Sequence, residues 1–352
     1  MDAISNILEL YYKLNSQEQL ELMVKLNNIS YGDEIKPTHP SNCPHCNSAR
    51  FTGYGNVNGR KRYMCKDCKR TFGDYSDTTF NNIKKMDKFL LFKNILFTEG
   101  IFPLKTLCKR VGISIQTSFD WRHKLMASLK DSESKFITET QLDDLWLSYS
   151  QKGRKGLKYS KERGGNKKSG DNNYQVKVLT ATDKSQTVMN VVRIGRITKS
   201  DIQVAVGDRM GQDVKLVSDS HASIIGFAKD NNIKHVCFKA KDHVAQTGEN
   251  VQHLNGQASR FKTMVNRNLK GVSTKYLQNY ANYFSFMETN KTKDVNKMAT
   301  LTIVEDKEGW DKFTNIEARY KKFIEDCSVR TYRCPTARSW KANNWNAENL
   351  AS

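Results

Sequence analysis

Two Cys-x-x-Cys pairs near the N-terminus constrain the fold of this chain more than any other feature. The pairs are Cys43 with Cys46 and Cys65 with Cys68, and 18 residues separate them. That spacing lets two tight turns bring four thiolates together around one tetrahedral zinc ion. The sequence therefore predicts a zinc ribbon, a small module folded around a structural metal, over residues 41–73.

The charge of the chain predicts a polyanionic partner. The 352 residues include 57 lysines and arginines against 37 aspartates and glutamates, which gives a formal net charge of +20. A surplus of this size favours nucleic acid binding through the release of counterions. Simple solubility is the alternative for a lysine-rich chain, but the basic residues here cover several segments, the ribbon among them, and this favours nucleic acid.

Cysteine usage and hydropathy predict an intracellular protein. The other cysteines show no metal or disulfide spacing, which fits a reducing cytosol; they are Cys108, Cys237, Cys327 and Cys334. No apolar run approaches the length of a membrane span. The N-terminus also lacks the basic-then-apolar order of a signal peptide.

Residues 84–130 predict a helix-turn-helix. The first helix has a regular apolar face, Gly112 permits a turn, and Ser114 is placed to cap the second helix. The second helix is expected to expose four polar or basic side chains, as a recognition helix does: Gln116, Thr117, Arg122 and Lys124. A helical hairpin without DNA contacts is the alternative, and Trp121 is expected in the core.

Residues 134–290 predict an α/β domain in which three strands precede alternating helices and strands. This order resembles the ribonuclease H-like fold, on which phosphoryl-transfer enzymes hold two magnesium ions with carboxylates from the first strand, the fourth strand and a later helix. Asp143 lies in the predicted first strand, and Asp219 ends the predicted fourth. Because adjacent strand ends can bring two carboxylates within reach of one metal, this pair predicts a magnesium site.

The third ligand of such a site is not a carboxylate at the expected place. The first polar candidate in the following helix is Asn255, and Lys262 lies seven residues further on, two helical turns along the same face. An amide oxygen can bind magnesium, and a lysine there can hold phosphate. The alternative is that Asn255 is only a helix N-cap. Two acidic residues are weaker candidates for the third ligand. Glu249 falls in a predicted loop, and Glu288 lies too far along the chain.

Three stretches of the chain together resemble bacterial insertion-sequence transposases of the zinc-ribbon family fifteen ninety-five, in the DDE superfamily. They are CPHCNSARFTGYGNVNGRKRYMCKDCKRTF; QLDDLWLSYSQKGRKG with the basic loop after it; and VKLVSDSHASIIGFAKDNNIKHVCF with the NxxxxxxK and GVSTKYL motifs that follow. The resemblance covers roughly residues 1–290. Many members have asparagine in place of the final glutamate, followed by lysine, which implies that Asn255 is a metal ligand with Lys262 as its partner. Asp144 stands where members usually have glutamate.

The resemblance implies a multidomain α+β protein that cuts DNA at the ends of its own element and joins the released 3′-hydroxyl to target DNA. Asp143, Asp219 and Asn255 would hold one or two Mg²⁺ ions, Lys262 would steady phosphate, and the ribbon would hold structural Zn²⁺. The partners would be double-stranded DNA, both element ends and target, and further copies of the chain in a homodimer or larger assembly. The protein would be cytoplasmic and associated with the nucleoid.

The remaining segments are expected to support this arrangement. Residues 1–40 predict N-terminal helices and a linker. The glycine-rich basic loop at 150–173 and a basic C-terminal tail at 291–352 are expected to follow the DNA backbone.

Two other classes of protein share part of these features. A zinc-ribbon DNA-binding protein derived from a transposase, but without catalysis, would explain the charge, the ribbon and the helix-turn-helix. It would not explain why Asp143, Asp219, Asn255 and Lys262 all fall at matching places. A ribonuclease H-like nuclease or Holliday-junction resolvase would share the metals but does not need the ribbon and helix-turn-helix pair.

Overall fold

The computed structural model divides the chain into two compact units. The first comprises residues 1–129 and 292–313, and the second comprises residues 130–291 and 314–352. The structure describes residues 3–15, 18–19, 21–23, 25–26, 39–57, 59–129, 134–155, 172, 174–211, 213–239, 242, 244–306 and 309–331. Most of the predicted basic loop and the end of the predicted tail therefore lie outside the described residues. None of the helices in these ranges is long and apolar enough to cross a membrane.

The first unit contains a small antiparallel sheet that follows helix α1 (Ala3–Lys13). Its strands are β1 (Phe51–Val57), β2 (Arg60–Cys65) and β3 (Thr71–Gly73), with β2 in the centre. The strands are short and mostly exposed. Three aromatic side chains make ring contacts beside the cysteines and supply much of the small core: Phe51, Tyr63 and Phe72.

The rest of the first unit is helical. Its helices are α2 (Met86–Asn94), α3 (Leu104–Val111), α4 (Ile115–Ala127) and, after the second unit has intervened, α9 (Val295–Glu305). A π-helical turn, Ile95–Glu99, extends α2. Trp121 is buried and makes edge-on contacts with Phe89 and Phe92, so the prediction that it belongs to the core is confirmed.

The second unit is built on a five-stranded mixed sheet. Its strands are β4 (Glu139–Ser148), β5 (Gln175–Thr182), β6 (Thr187–Ile194), β7 (Lys215–Asp219) and β8 (Lys234–Phe238). Across the sheet the order is β6-β5-β4-β7-β8. β5 is antiparallel to both of its neighbours, whereas β4, β7 and β8 run parallel. The parallel step from β7 to β8 is a strand–helix–strand crossover through the helix Ala222–Asp230.

Helices cover both faces of this sheet. They are α5 (Lys199–Val206), α6 (Ala222–Asp230), α7 (Gln252–Thr263) and α8 (Leu277–Asn290). Every residue of β5 is buried, as expected for a strand covered on two sides. The predicted order of three strands followed by alternating helices and strands is the order observed.

The segment that the sequence predicts as a basic tail begins as helices. Besides α9, it contains α10 (Gly309–Thr314) and α11 (Ile316–Thr331). Residues up to 313 are counted with the first unit and the later ones with the second.

Candidate active site

The four cysteines of the ribbon meet at one point. Their sulfur atoms all lie within 4.8 Å of one another. The Sγ atoms of Cys43 and Cys68 are 3.7 Å apart, and those of Cys46 and Cys65 are 3.6 Å apart. A tetrahedral zinc site with Zn–S bonds of about 2.3 Å requires S–S separations of about 3.8 Å. The cluster therefore has the size and the donor set of a structural zinc site and could bind such a metal.

The local backbone favours the thiolate form of Cys65 in this cluster. Each Cys-x-x-Cys turn aims backbone N–H groups at its first sulfur, from His45 to Cys43 and from Asp67 to Cys65. Hydrogen bonds from backbone N–H groups, that of Cys68 first, lower the pKa of the Cys65 thiol to about 7. Because thiolate is the form that binds metal, these bonds favour the ligating state.

In the second unit, strand register brings Asp143 and Asp219 together. β4 and β7 are parallel, with Glu139 opposite Lys215 and Gln141 opposite Val217. Asp143 and Asp219 each follow the last of these pairs by two residues, so they lie at the same level on neighbouring strands. Asp219 is also the last residue of β7, at the carboxyl edge where parallel sheets commonly place their sites.

The electrostatics of Asp143 reflect this closeness. Burial first, and then the negative charges of Asp219 and Asp144, together raise the pKa of the Asp143 carboxyl to about 7. The Asp144 backbone N–H donates a 2.7 Å hydrogen bond to Asp143 Oδ1, which holds the carboxylate in one orientation. Two carboxylates this close can both ionise readily only beside a cation, so the pair is suited to a divalent metal.

Asp144 itself makes a buried ion pair. Lys177 Nζ on β5 lies 2.7 Å from Asp144 Oδ2, and both side chains are almost wholly buried. Lys177 is not among the site residues predicted from the sequence. β5 is buried along its whole length, and a lysine within such a strand signals a buried charge partner.

Asn255 lies in the first turn of α7, and the N-cap alternative for it is wrong. The helix begins at Gln252 with Val251 as its N-cap, and the Asn255 backbone N–H donates to the Val251 carbonyl oxygen as an ordinary helical residue. Its side chain is exposed. The neighbouring Leu254 backbone N–H donates to Gln141 Oε1 at 3.1 Å, which ties this turn to the strand that carries Asp143.

Lys262 lies at the far end of the same helix. It is half-buried, and its Nζ atom is 5.7 Å from the centroid of the Trp146 ring on β4.

The two carboxylates considered as alternative third ligands form ion pairs with other residues. Glu249 pairs with Lys215, and Glu288 lies 2.8 Å from Arg260. Within the described residues, no third His, Cys, Asp or Glu side chain joins Asp143 and Asp219 in a group that could hold one ion.

Comparison with known families finds one match within the second unit. Residues 138–289, which include Asp143, Asp219, Asn255 and Lys262, match the model of the ISXO2-like transposase domain. Over these residues the chain is similar to an ISXO2-like transposase domain. This agrees with the insertion-sequence transposase family that the sequence motifs resemble.

Individual relatives of the transposase domain are distant. An uncharacterised protein in the transposable element ISH50 of Halobacterium salinarum is 22% identical over 180 residues, which is 50% of this chain and 61% of that protein. The match thus spans less than two thirds of the relative's length. Among solved structures, a pre-cleavage Mos1 transpososome is similar over 63% of this chain and 76% of its own, at 10% identity and a TM-score of 0.25. The Mos1 paired end complex with Mn is similar over 66% and 78%, at 12% identity and a TM-score of 0.26. Similarity at this level supports no conclusion about this chain.

Upstream of the transposase domain, the two helices predicted as a helix-turn-helix are present. Gly112 adopts a left-handed conformation after α3, with φ of 66°, and Ser114 Oγ accepts a 3.0 Å hydrogen bond from the Thr117 backbone N–H at the start of α4. Glycine suits the left-handed turn because it has no Cβ. Gln116 is exposed and Thr117 is half-buried. Gln116 is therefore exposed as the sequence predicts, whereas Thr117 is only partly so, and its hydroxyl lies 2.9 Å from that of Ser114.

The prediction that Arg122 and Lys124 lie on the outer side of α4 is wrong. Both are buried, with exposed fractions of 1% and 5%. Arg122 donates to the Phe102 carbonyl oxygen, and Lys124 donates to that of Asn81. Neither could reach DNA without leaving these partners. Trp310 covers Lys124, its ring centroid 4.4 Å from Nζ, and sequence periodicity within α4 cannot reveal a contact with so distant a segment.

Burial of Lys124 predicts a dependence of stability on pH. Burial lowers the pKa of Lys124 from 10.5 to about 8. Between these values the unfolded chain binds more protons than the folded one, so the free energy of unfolding should rise with pH. Lys124→Met removes this titration. Thermal unfolding should therefore show the Tm of the wild type rising relative to that of the variant as the pH increases through this interval. If the difference in Tm between the wild type and Lys124→Met did not change with pH, the lowered pKa of Lys124 would be contradicted.

Proposed function

We propose that this protein is a transposase that binds the ends of an insertion sequence and catalyses metal-dependent DNA strand cleavage and strand transfer. The observation that carries the proposal is the meeting of Asp143 and Asp219 at one level of two parallel strands, inside a transposase domain. Family membership alone would be compatible with an inactive copy. The retained pair of close carboxylates favours an active one.

The residues fit magnesium by their chemistry. Asp143 and Asp219 supply hard carboxylate oxygens on rigid strands, and Asn255 would add an amide oxygen from α7. When bound, the metal supplies Lewis-acid stabilisation of the charge that develops on phosphate and lowers the pKa of water. Asp143 would be held in its ligating orientation by the Asp144 N–H group, and the buried Lys177 would balance the charge of Asp144.

The order of the strands across the sheet supports the same proposed function. With β4 as the first strand of the sheet, the order is third-second-first-fourth-fifth, with only the second strand antiparallel to its neighbours. The sequence resemblance to the ribonuclease H-like fold rests on the order of these strands and helices along the chain, which the sheet retains. Lys262, seven residues after Asn255 on α7, would neutralise phosphate at the same end of the sheet.

Recognition of the element ends would belong to the first unit. The ribbon carries a basic rim, and its hairpin combines cations with aromatic rings, as where Arg62 lies 5.6 Å from the centroid of the Tyr54 ring. Zinc would be the structural metal of this module. Gln116 and Thr117 at the start of α4 would read DNA. Because two ends must be held together, we expect a homodimer or a larger assembly on DNA, working in the cytoplasm at the nucleoid.

A transposase-derived protein that only binds DNA is the second candidate, since the ribbon and helices would serve it equally. Incubating the protein with Mg²⁺ and DNA from the flanks of its gene separates the possibilities. The proposal expects hydrolysis at the element end followed by joining to a target molecule. Binding without cleavage would favour the non-catalytic candidate, and cleavage without joining would favour a nuclease.

A further inference from the structure

The ribbon sheet carries an arginine that is held by side chains from both neighbouring strands. Arg62 lies in β2 next to Tyr63, and successive side chains of a strand point to opposite faces. Tyr63 packs with the cysteines and their aromatic core, so Arg62 projects from the other face, away from the sulfur atoms. There Arg62 Nη2 donates a 2.8 Å hydrogen bond to Thr71 Oγ1 on β3, and the guanidinium carbon lies 5.6 Å from the centroid of the Tyr54 ring on β1.

These two contacts orient the guanidinium group without using up its hydrogen-bonding capacity. Within the described residues, Thr71 Oγ1 is the one hydrogen-bond acceptor that Arg62 reaches, and the Arg62 side chain is only half-buried. Most of its N–H donors therefore remain available to a partner in solution. An arginine that is already ordered loses less conformational entropy when it binds, and this favours specific recognition.

The surroundings of Arg62 fit a polyanionic partner. Residues 51–66 contain no aspartate or glutamate, and their basic residues are Arg60, Lys61, Arg62 and Lys66. The edge strand β1 is exposed from residue 52 to residue 57. Gly53 and Gly55 leave the backbone on either side of Tyr54 bare, with open space, in the described part of the chain, where side chains would stand. A bare and exposed strand lets another molecule approach its backbone closely.

Double-stranded DNA matches this surface in shape and in chemistry. The major groove is about 12 Å wide and admits a two-stranded β-ribbon such as the one that β1 and β2 form. In that groove guanine presents N7 and O6 as two neighbouring acceptors, and a bidentate arginine is the commonest specific contact to them. An ordered guanidinium group on a basic ribbon is suited to this contact.

We propose that Arg62 donates hydrogen bonds to a guanine in the major groove of the element-end duplex and so determines part of the sequence that the ribbon recognises. The inference rests on the proposed function, in which the first unit recognises the element ends, and it adds the residue and the base. A purely structural role, in which Arg62 only ties β1 and β3 to β2, is the competing role.

The test selects preferred sequences from a pool of DNA duplexes with a randomised segment. It uses the full chain in buffer that contains Zn²⁺ but no Mg²⁺, so that no strand is cut. The wild type should recover a sequence with at least one fixed guanine, and Arg62→Met should lose the preference for that guanine while keeping the preferences at other positions. In fluorescence anisotropy, replacing that guanine should weaken wild-type binding about tenfold and leave binding by Arg62→Met unchanged.

Two more variants separate base recognition from charge and from folding. Lys61→Met removes the same charge from the adjacent, exposed position of β2, so it should weaken binding of all sequences alike and keep every base preference. Arg62→Lys keeps the charge but not the planar fork of donors, so it should lose the guanine preference as Arg62→Met does. The zinc content of each variant, measured beside that of the wild type, reports whether the ribbon is folded.

The inference is overturned if the Arg62 variants keep every base preference of the wild type, or if the wild type shows none. It is also overturned if the variants lose a preference for A·T pairs instead, because that result indicates an arginine in the minor groove. A wild type that cuts and joins DNA while the Arg62 variants keep its base preferences would refute the role of Arg62 and leave the transposase proposal standing. Selection of guanine through Arg62 by a protein that never cuts DNA would uphold the inference and favour the non-catalytic candidate.

Discussion

Replacing Asp219 with alanine is expected to abolish Mg²⁺-dependent cleavage of element-end DNA while leaving DNA binding intact. The change leaves Asp143 as the one carboxylate of the pair, so the site loses half of its negative charge and one rigid oxygen ligand. Removing one electrostatic group at a reacting centre costs at least about a hundredfold in rate. Single-turnover cleavage of a labelled DNA end measures this directly.

Two further variants make the Asp219 result interpretable. Asp219→Asn keeps the shape of the side chain but removes its charge, and it should be nearly as inactive if charge is what the site requires. Asp213→Ala makes the same charge change at an exposed residue just before β7, and it should cleave like the wild type. If Asp219→Ala carried out strand transfer at the wild-type rate, the assignment of Asp143 and Asp219 as the catalytic site would be wrong.

The second large effect is expected at the ribbon. Cys65→Ser removes one of four sulfur ligands and should release the metal, because a structural zinc site needs its full set. In zinc-finger peptides the apparent free energy of zinc binding is about 10–16 kcal/mol, and most of it appears as folding energy. We therefore expect the β1–β3 sheet to unfold, since its own core is formed by only a few aromatic side chains.

Elemental analysis and amide hydrogen exchange test this second expectation. The wild type should contain one zinc per chain, and Cys65→Ser should contain none and lose protection in β1 to β3. Cys108→Ser is the matched control, because Cys108 lies outside the cluster and should not affect zinc content. Absence of zinc from the wild type would refute the site.

The arrangement of the transposase domain was largely predictable, for a physical reason. An aspartate within one buried strand and another at the end of a parallel neighbour must come close once the two strands pair in register, because side-chain positions repeat strictly along strands. The cysteine cluster was predictable on similar grounds, since the spacing alone allows the four sulfurs to converge.

The long-range partners were not predictable from local patterns. The sequence of α4 suggests that Lys124 could face solvent, but Trp310 and Phe313, far along the chain, cover it. The same holds for Lys177, whose pairing with Asp144 depends on the register of β4 and β5. For Asn255, helix propensity favoured an N-cap, but the helix begins three residues earlier, in a turn whose Leu254 backbone N–H donates to Gln141 Oε1 on β4.

Asp143 and Asp219 are proposed to share a divalent metal ion. Diffraction from crystals soaked in Mn²⁺, recorded at a wavelength where manganese scatters anomalously, tests it most directly. We expect an anomalous peak in contact with carboxylate oxygens of both aspartates and with the Asn255 side chain, and no such peak in Asp219→Ala crystals. A peak that avoids this pair, or its absence at saturating Mn²⁺, would contradict the account.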